Sequence, residues 1–149
     1  MASIAIVHGG AAQRGGTRSA CDQYTADHFQ TCREYAEATC DSWVIVSAKH
    51  GVIHPNRQIQ SYDVTRADFD PFEEMQWVKR IQRQLGDVLF DQYTSPQFSR
   101  VVVLTDDYHT AALDPVFKQA TGRGVAVEKP FEGRYDEPVE SVLKQPVPR

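Results

Sequence analysis

The chain has 149 residues, 41% of them hydrophobic and 24% charged, and a formal net charge of −4. That length suits one domain around a single core, and no apolar run approaches the ~18 residues a membrane-spanning helix needs. A negative balance excludes a general attraction to phosphate, so any contact with nucleic acid must come from a local patch.

The N-terminus, MASIAIVHGG, has no basic region ahead of its short apolar run. It reads as a first strand rather than a secretion signal, and a cytoplasmic location is expected. The run at 3–7 (SIAIV) is the first of four; the others are 43–48 (WVIVSA), 100–105 (RVVVLT) and 124–128 (GVAVE). All are β-branched and continuous rather than alternating, the pattern of strands buried on both faces, which predicts a parallel sheet.

Between the first two runs, Phe29, Cys32, Ala36 and Cys40 have helical spacing; between the second and third, so do Phe72, Met75, Val78, Ile81, Leu85 and Val88. Trp77 stands off that second stripe and is expected beneath the segment QIQSYDV. The third helix is predicted to start with Asp114 as cap and Pro115 as first residue, and to stop at Gly122. A further turn is expected around Val139 to Leu143, followed by a frayed Pro-rich tail at 144–149. The order βαβαβαβ makes 1–149 a single α/β domain: a small, mainly parallel four-stranded sheet with helices on both faces.

Ligands of such sheets bind beyond the carboxyl ends of the strands. After the first strand come His8 and a loop, GGAAQRGGTRSACDQY, carrying Arg14 and Arg18. It matches neither the P-loop pattern nor a spaced G-x-G-x-x-G, so it reads either as a mobile connection or as a phosphate cradle. After the second strand come Ser47, Ala48, Lys49, His50 and Gly51. Lys49 is either a solvated side chain or an anion anchor, and Gly51 is expected at positive φ, where the chain turns sharply out of the strand. Ile53, Ile59 and Val64 are then expected to anchor the outgoing loop, leaving Lys49, His50, Tyr62 and Asp63 around a pocket. After the third strand come Asp106, Asp107, Tyr108 and His109, with one aspartate expected to cap a helix and the other to remain available. The odd number of cysteines (Cys21, Cys32, Cys40) and the absence of C-x-x-C or H-x-E spacing, or of an i,i+4 histidine pair on a predicted helix, predict reduced thiols and no metal, and no cofactor is called for.

The segments QYTADHF, WVIVSAKHGVIHPNRQIQSYDVT, EEMQWVKRIQRQL and VVVLTDDYH, in that order, resemble the YaaA-like proteins, in particular their small relatives of unknown function in bacteria, archaea and phages. The resemblance covers residues 23 to about 109. It implies that Tyr24, Ser47, Lys49, Gly51, Tyr62, Asp63 and Asp107 or Tyr108 share one face. The best-known YaaA-like proteins are linked to DNA binding and peroxide stress, and related domains lie beside enzymes that install modified bases. This chain departs from the pattern after its first strand, where relatives carry a cysteine and a lysine and VHGGAAQRGG stands instead.

Two functions follow as expectations. One is an enzyme acting on a nucleotide or nucleobase: Lys49, Arg14 and Arg18 hold phosphate, Asp63 or Asp107 serves as base or ribose contact, and His8 or His50 as its acid/base partner. Ser47, Gly51 and Tyr108 complete that pocket. The other is a non-catalytic, stress-related DNA- or RNA-binding protein in which the loop arginines and the second helix touch backbone phosphates and Tyr24 or Tyr62 stacks on a base.

Overall fold

The computed structural model describes residues 2–91, 95–132 and 142–143. In chain order the elements are β1 (Ser3–His8), β2 (Thr17–Ser19), α1 (Ala20–Gln23), α2 (Asp27–Thr39), β3 (Ser42–Ser47), β4 (Gly51–Ile53) and β5 (Gln58–Gln60). A 3₁₀ turn (Arg66–Asp68), α3 (Pro71–Leu89), β6 (Arg100–Leu104), α4 (Asp107–Gly122) and β7 (Ala126–Glu128) follow. The four apolar runs become β1, β3, β6 and β7, and these pair in parallel in the order β3-β1-β6-β7. His8 therefore ends its strand opposite Val46, and Val7 lies opposite Leu104, so three strand ends meet on one edge.

Among the described residues the sheet has five strands rather than the expected four, and it is mixed. Gly51, at φ 74°, reverses the chain so that β4 returns antiparallel along β3, with Ser47 opposite Gly51 and Ile45 opposite Ile53. Three residues are too few to show a period, which is why the sequence conceals this edge strand. A separate two-stranded ribbon, β2 with β5, ties the glycine-rich loop to the segment after β4.

Alternate strand residues point to opposite faces, and each face has its own core. Ile4, Ile6, Val44, Val46, Val101 and Val103 pack with α3 and α4, whereas Ala5, Val7, Ile45, Val102 and Leu104 pack with α1 and α2. Phe29, Cys32 and Ala36 are the buried stripe of α2, as their spacing predicts. On α3 the stripe differs: Trp77, Ile81, Leu85 and Leu89 are buried, while Phe72 and Met75 are 64% and 44% exposed. The first turn of this 19-residue helix leaves its apolar side chains outside the core, with Phe72 on the wall of a surface cleft. Trp77 is thus a core residue on the α3/α4 side rather than a loop support, and its Nε1 donates to the Ser47 carbonyl at 3.2 Å.

The third helix also differs from expectation. Asp106, not Asp114, is the N-cap of α4, accepting from His109 N at 2.8 Å, and Pro115 lies inside the helix. A cap signal eight positions upstream competes with Asp114–Pro115 and wins because it closes the first turn at the strand exit. The stop at Gly122 is where it was expected. Ile53 and Ile59 are buried anchors, but Val64 is 38% exposed. Of the expected C-terminal turn only 142–143 are described, with Val142 buried against the α2 side; 139–141 and the tail at 144–149 lie outside the described residues.

Candidate active site at the carboxyl edge of the sheet

A strand end fixes its side chains most firmly when neighbours pair on both sides, and β1 is flanked by β3 and β6. His8 leaves that central position with its side chain only 12% exposed, and its Nε2 lies 3.7 Å from Asp106 Oδ2. Asp106 in turn sits at the exit of β6, and its other oxygen, Oδ1, is 2.6 Å from His109 Nδ1 one helical turn on. The His8 and His109 rings stack, with centroids 4.8 Å apart and planes 18° from parallel. A third imidazole, His28 of α2, has its centroid 5.3 Å from that of His8.

Burial disfavours the imidazolium and, with His109 nearby, pushes the His8 pKa down to about 3 against the pull of Asp106. Asp106 shows the opposite balance. Burial opposes its ionisation, but hydrogen bonds from the His109 ring and backbone hold its carboxyl well below the usual range. The charges of His8 and His109 act in the same direction.

His8 and His109 border a pocket of about 210 Å³ whose other walls are Gly9, Gly10, Ala11, Ala48, Tyr62 and the chain from Val64 to Arg66. Gly9 cannot carry a side chain, because a Cβ there would lie 2.6 Å from the Tyr24 ring. Arg66 stands at this rim with its guanidinium carbon 4.0 Å from the centre of the Tyr108 ring. The segment is held down by a relay: the Ser47 hydroxyl donates to Tyr62 Oη at 2.9 Å, and Tyr62 Oη shares a 2.7 Å bond with Tyr24 Oη. Ser47 Oγ also accepts from the backbone of Lys49 and His50. Gln13 completes the clamp, its amide bonding both the N–H and the carbonyl of Tyr62 at 3.0 Å.

The predicted site residues divide accordingly. His8 and Tyr62 line the pocket; Tyr24, Ser47 and Gly51 support it from beneath, and Gly51 has the expected positive φ. His50 stands edge-on to the Tyr62 ring, centroids 5.5 Å apart. Tyr108 is a platform for Arg66, and its hydroxyl donates to Glu74. Lys49 does not join them: it is exposed in a neighbouring cleft of about 700 Å³ with Lys79, Arg80 and Arg83. Asp63 is exposed, since it alternates away from Tyr62 in an extended segment. Asp107 is also exposed and borders a separate hollow with Thr105 and Lys129, so Asp106 takes the place proposed for it. Arg14 and Arg18 are exposed, and Arg18 is spent on the carbonyl of Gly15 within its own loop. Sequence reasoning missed Asp106, His109 and Arg66 as site members. The D-x-x-H spacing, which puts two side chains on one face of a first helical turn, was the available signal for the first pair.

A model of a family of unknown function (DUF6884) matches residues 4–140. The chain belongs to that family. The matched span runs from β1 through β7 and so takes in every residue of the edge pocket. A DUF6884 chain of this kind is also similar to the uncharacterized protein YfjM of Bacillus subtilis, with 37% identity over 67 residues. That alignment spans 44% of this chain and 43% of YfjM, less than half the length of the curated relative.

Proposed function

We propose that this DUF6884 protein is an enzyme acting on a nucleotide or nucleobase, with its reacting groups at the carboxyl edge of the sheet. One observation carries the reading: two imidazoles and a carboxylate, delivered by the neighbouring strands β1 and β6, converge beside a small pocket that has a guanidinium on its rim. A volume of about 210 Å³ is less than a drug-sized ligand fills and is suited to a base or a sugar. Arg66 offers a planar fork that pairs with phosphate or carboxylate. Gly9 and Gly10 let a ligand approach the backbone closely. The resemblance to YaaA-like proteins, whose related domains lie beside base-modifying enzymes, supports the same substrate class.

Calorimetric titration with nucleoside monophosphates and free bases tests this. Arg66→Ala should weaken monophosphate binding by about tenfold or more, the loss of one charged hydrogen-bonded contact. Lys49→Ala should leave it unchanged. No heat with any nucleotide or base at millimolar concentration would refute the proposal.

The alternative is a non-catalytic DNA- or RNA-binding protein, and it is favoured by the neighbouring cleft. There Lys49, Lys79, Arg80 and Arg83 surround Phe72, an exposed ring on which a base could stack. The net charge of −4 opposes it.

A further inference from the structure

We infer that His8, Asp106 and His109 form a binding site for a divalent transition-metal ion. Each offers one donor atom, and the donors all lie within 4.8 Å of one another. Donors arranged tetrahedrally around an ion at ~2.1 Å are about 3.4 Å apart. Of the contacts in the cluster, one is 2.6 Å and another 3.7 Å, values on either side of that separation. Ligation by His109 Nδ1 would replace its hydrogen bond to Asp106, the proton moving to Nε2 or to solvent, and side-chain rotation would bring the donors to that spacing.

A hydrogen-bonded histidine–aspartate pair within one helical turn accounts for Asp106 and His109 alone. It does not account for His8, which arrives from a different strand, stacks on His109 and faces the same carboxylate through its Nε2. The backbone holds that convergence: β1 is paired on both sides, and Asp106 is pinned as the cap of α4. Two imidazoles and one carboxylate suit zinc, cobalt, nickel, manganese or ferrous iron, whereas magnesium and calcium prefer all-oxygen sets. Three protein ligands leave coordination positions open, as catalytic rather than structural sites do. His8 and His109 also line the 210 Å³ pocket, so the ion borders the space where a ligand enters. There it would polarise a phosphoryl or carbonyl oxygen, or make bound water more acidic.

The use of the ion rests on the edge pocket being an active site; its binding does not. The sequence expectation of no metal considered only local spacing, and His8 stands about a hundred positions from Asp106.

The test uses the full chain, stripped with chelator, and titrated with Co²⁺ and Zn²⁺ by calorimetry and tryptophan fluorescence, with Mg²⁺ as control. One Co²⁺ per chain should bind and quench Trp77, whose ring centroid is 5.8 Å from that of His109. Trp43 packs on the opposite face of the sheet and should contribute little to the quench. Supporting residues around metal sites typically change affinity 10- to 100-fold, so His8→Gln, His109→Gln and Asp106→Asn should each cost about a hundredfold or more. Asparagine caps helices as well as aspartate does, so Asp106→Asn separates lost ligation from lost folding through its melting temperature. Trp77→Phe should keep the heat of binding and lose the quench. Absence of both heat and quench at millimolar Co²⁺, or binding that all three ligand variants leave intact, would overturn the inference. Nucleotide binding that persists in metal-free protein leaves the functional reading standing without the ion, and metal binding without nucleotide binding does the reverse.

Discussion

Gly51→Ala tests how the chain leaves the sheet beside the site. The φ of 74° at this position is one in which a residue with a Cβ is strained by about 1–2 kcal/mol. The added methyl would also collide with the Gln84 side-chain amide and lie 3.3 Å from Arg80 Nε. Gln84 Oε1 accepts from Val52 N at 2.9 Å, so displacing it gives up a half-buried hydrogen bond worth a further ~1 kcal/mol. The sum is about 2–3 kcal/mol, and at ~2–4 °C per kcal/mol for a chain of this size the melting temperature should fall by about 4–12 °C. A double-mutant cycle with Gln84→Ala separates the two causes. On the Gln84→Ala background the collision and the bond are already gone, so Gly51→Ala should cost only the ~1–2 kcal/mol of backbone strain. Thermal and urea unfolding of the four proteins read this directly. If Gly51→Ala shifts the midpoint by less than about 2 °C in both backgrounds, left-handed geometry is not what reverses the chain here, and the reasoning fails.

Tyr62→Phe removes the hydroxyl between Ser47 and Tyr24 and strands a buried Tyr24 hydroxyl, so stability in urea should drop by about 1–3 kcal/mol; an unchanged midpoint would show that the relay contributes nothing. The His50 pKa lies below its ordinary value, chiefly because of burial and then through repulsion from Arg57, Lys49 and Arg80. The unfolded chain therefore binds a proton that the folded one rejects: stability is full above about pH 6.5 and declines as pH falls toward the folded value. His50→Gln should flatten the stability curve as pH falls below about 6.5, and parallel wild-type and variant curves would contradict this. Salt dependence distinguishes the two binding surfaces. Mononucleotide affinity at the edge pocket should change little, whereas single strands held by Lys49, Lys79, Arg80 and Arg83 should show a log–log slope near about −3, reduced by ~0.7 in Lys49→Ala. Equal slopes for both ligands would refute the separation.

Backbone patterning was legible in the sequence because it is a local property. Continuous β-branched runs identify β1, β3, β6 and β7, since a strand covered on both faces must be apolar throughout. Their parallel order places the ends of β1, β3 and β6 on one edge, which made His8, Ser47 and the neighbours Asp107 and Tyr108 candidates from sequence alone. Gly51 was equally readable, because the strand ends there and only glycine turns so sharply without strain.

Side-chain partnership was not legible, because it depends on how far each element reaches. Trp77 and Phe72 both lie on α3, yet only Trp77 is buried: helical spacing placed Ile81 and Leu85 in the core correctly but added Phe72 and Met75 and left out Trp77. Lys49 and Asp63 have the right chemistry, but strand and loop alternation turn them outward, while Arg66 is brought to the rim by a 3₁₀ turn that no apolar period announces. The choice of Asp106 over Asp107 was a matter of one residue of helical phase: the cap faces His8, and its neighbour, about 100° further around, faces another hollow. Sequence set which residues arrive at the edge of the sheet, and only the packing of β1 against β6 and α4 decided that His8, Asp106 and His109 meet there.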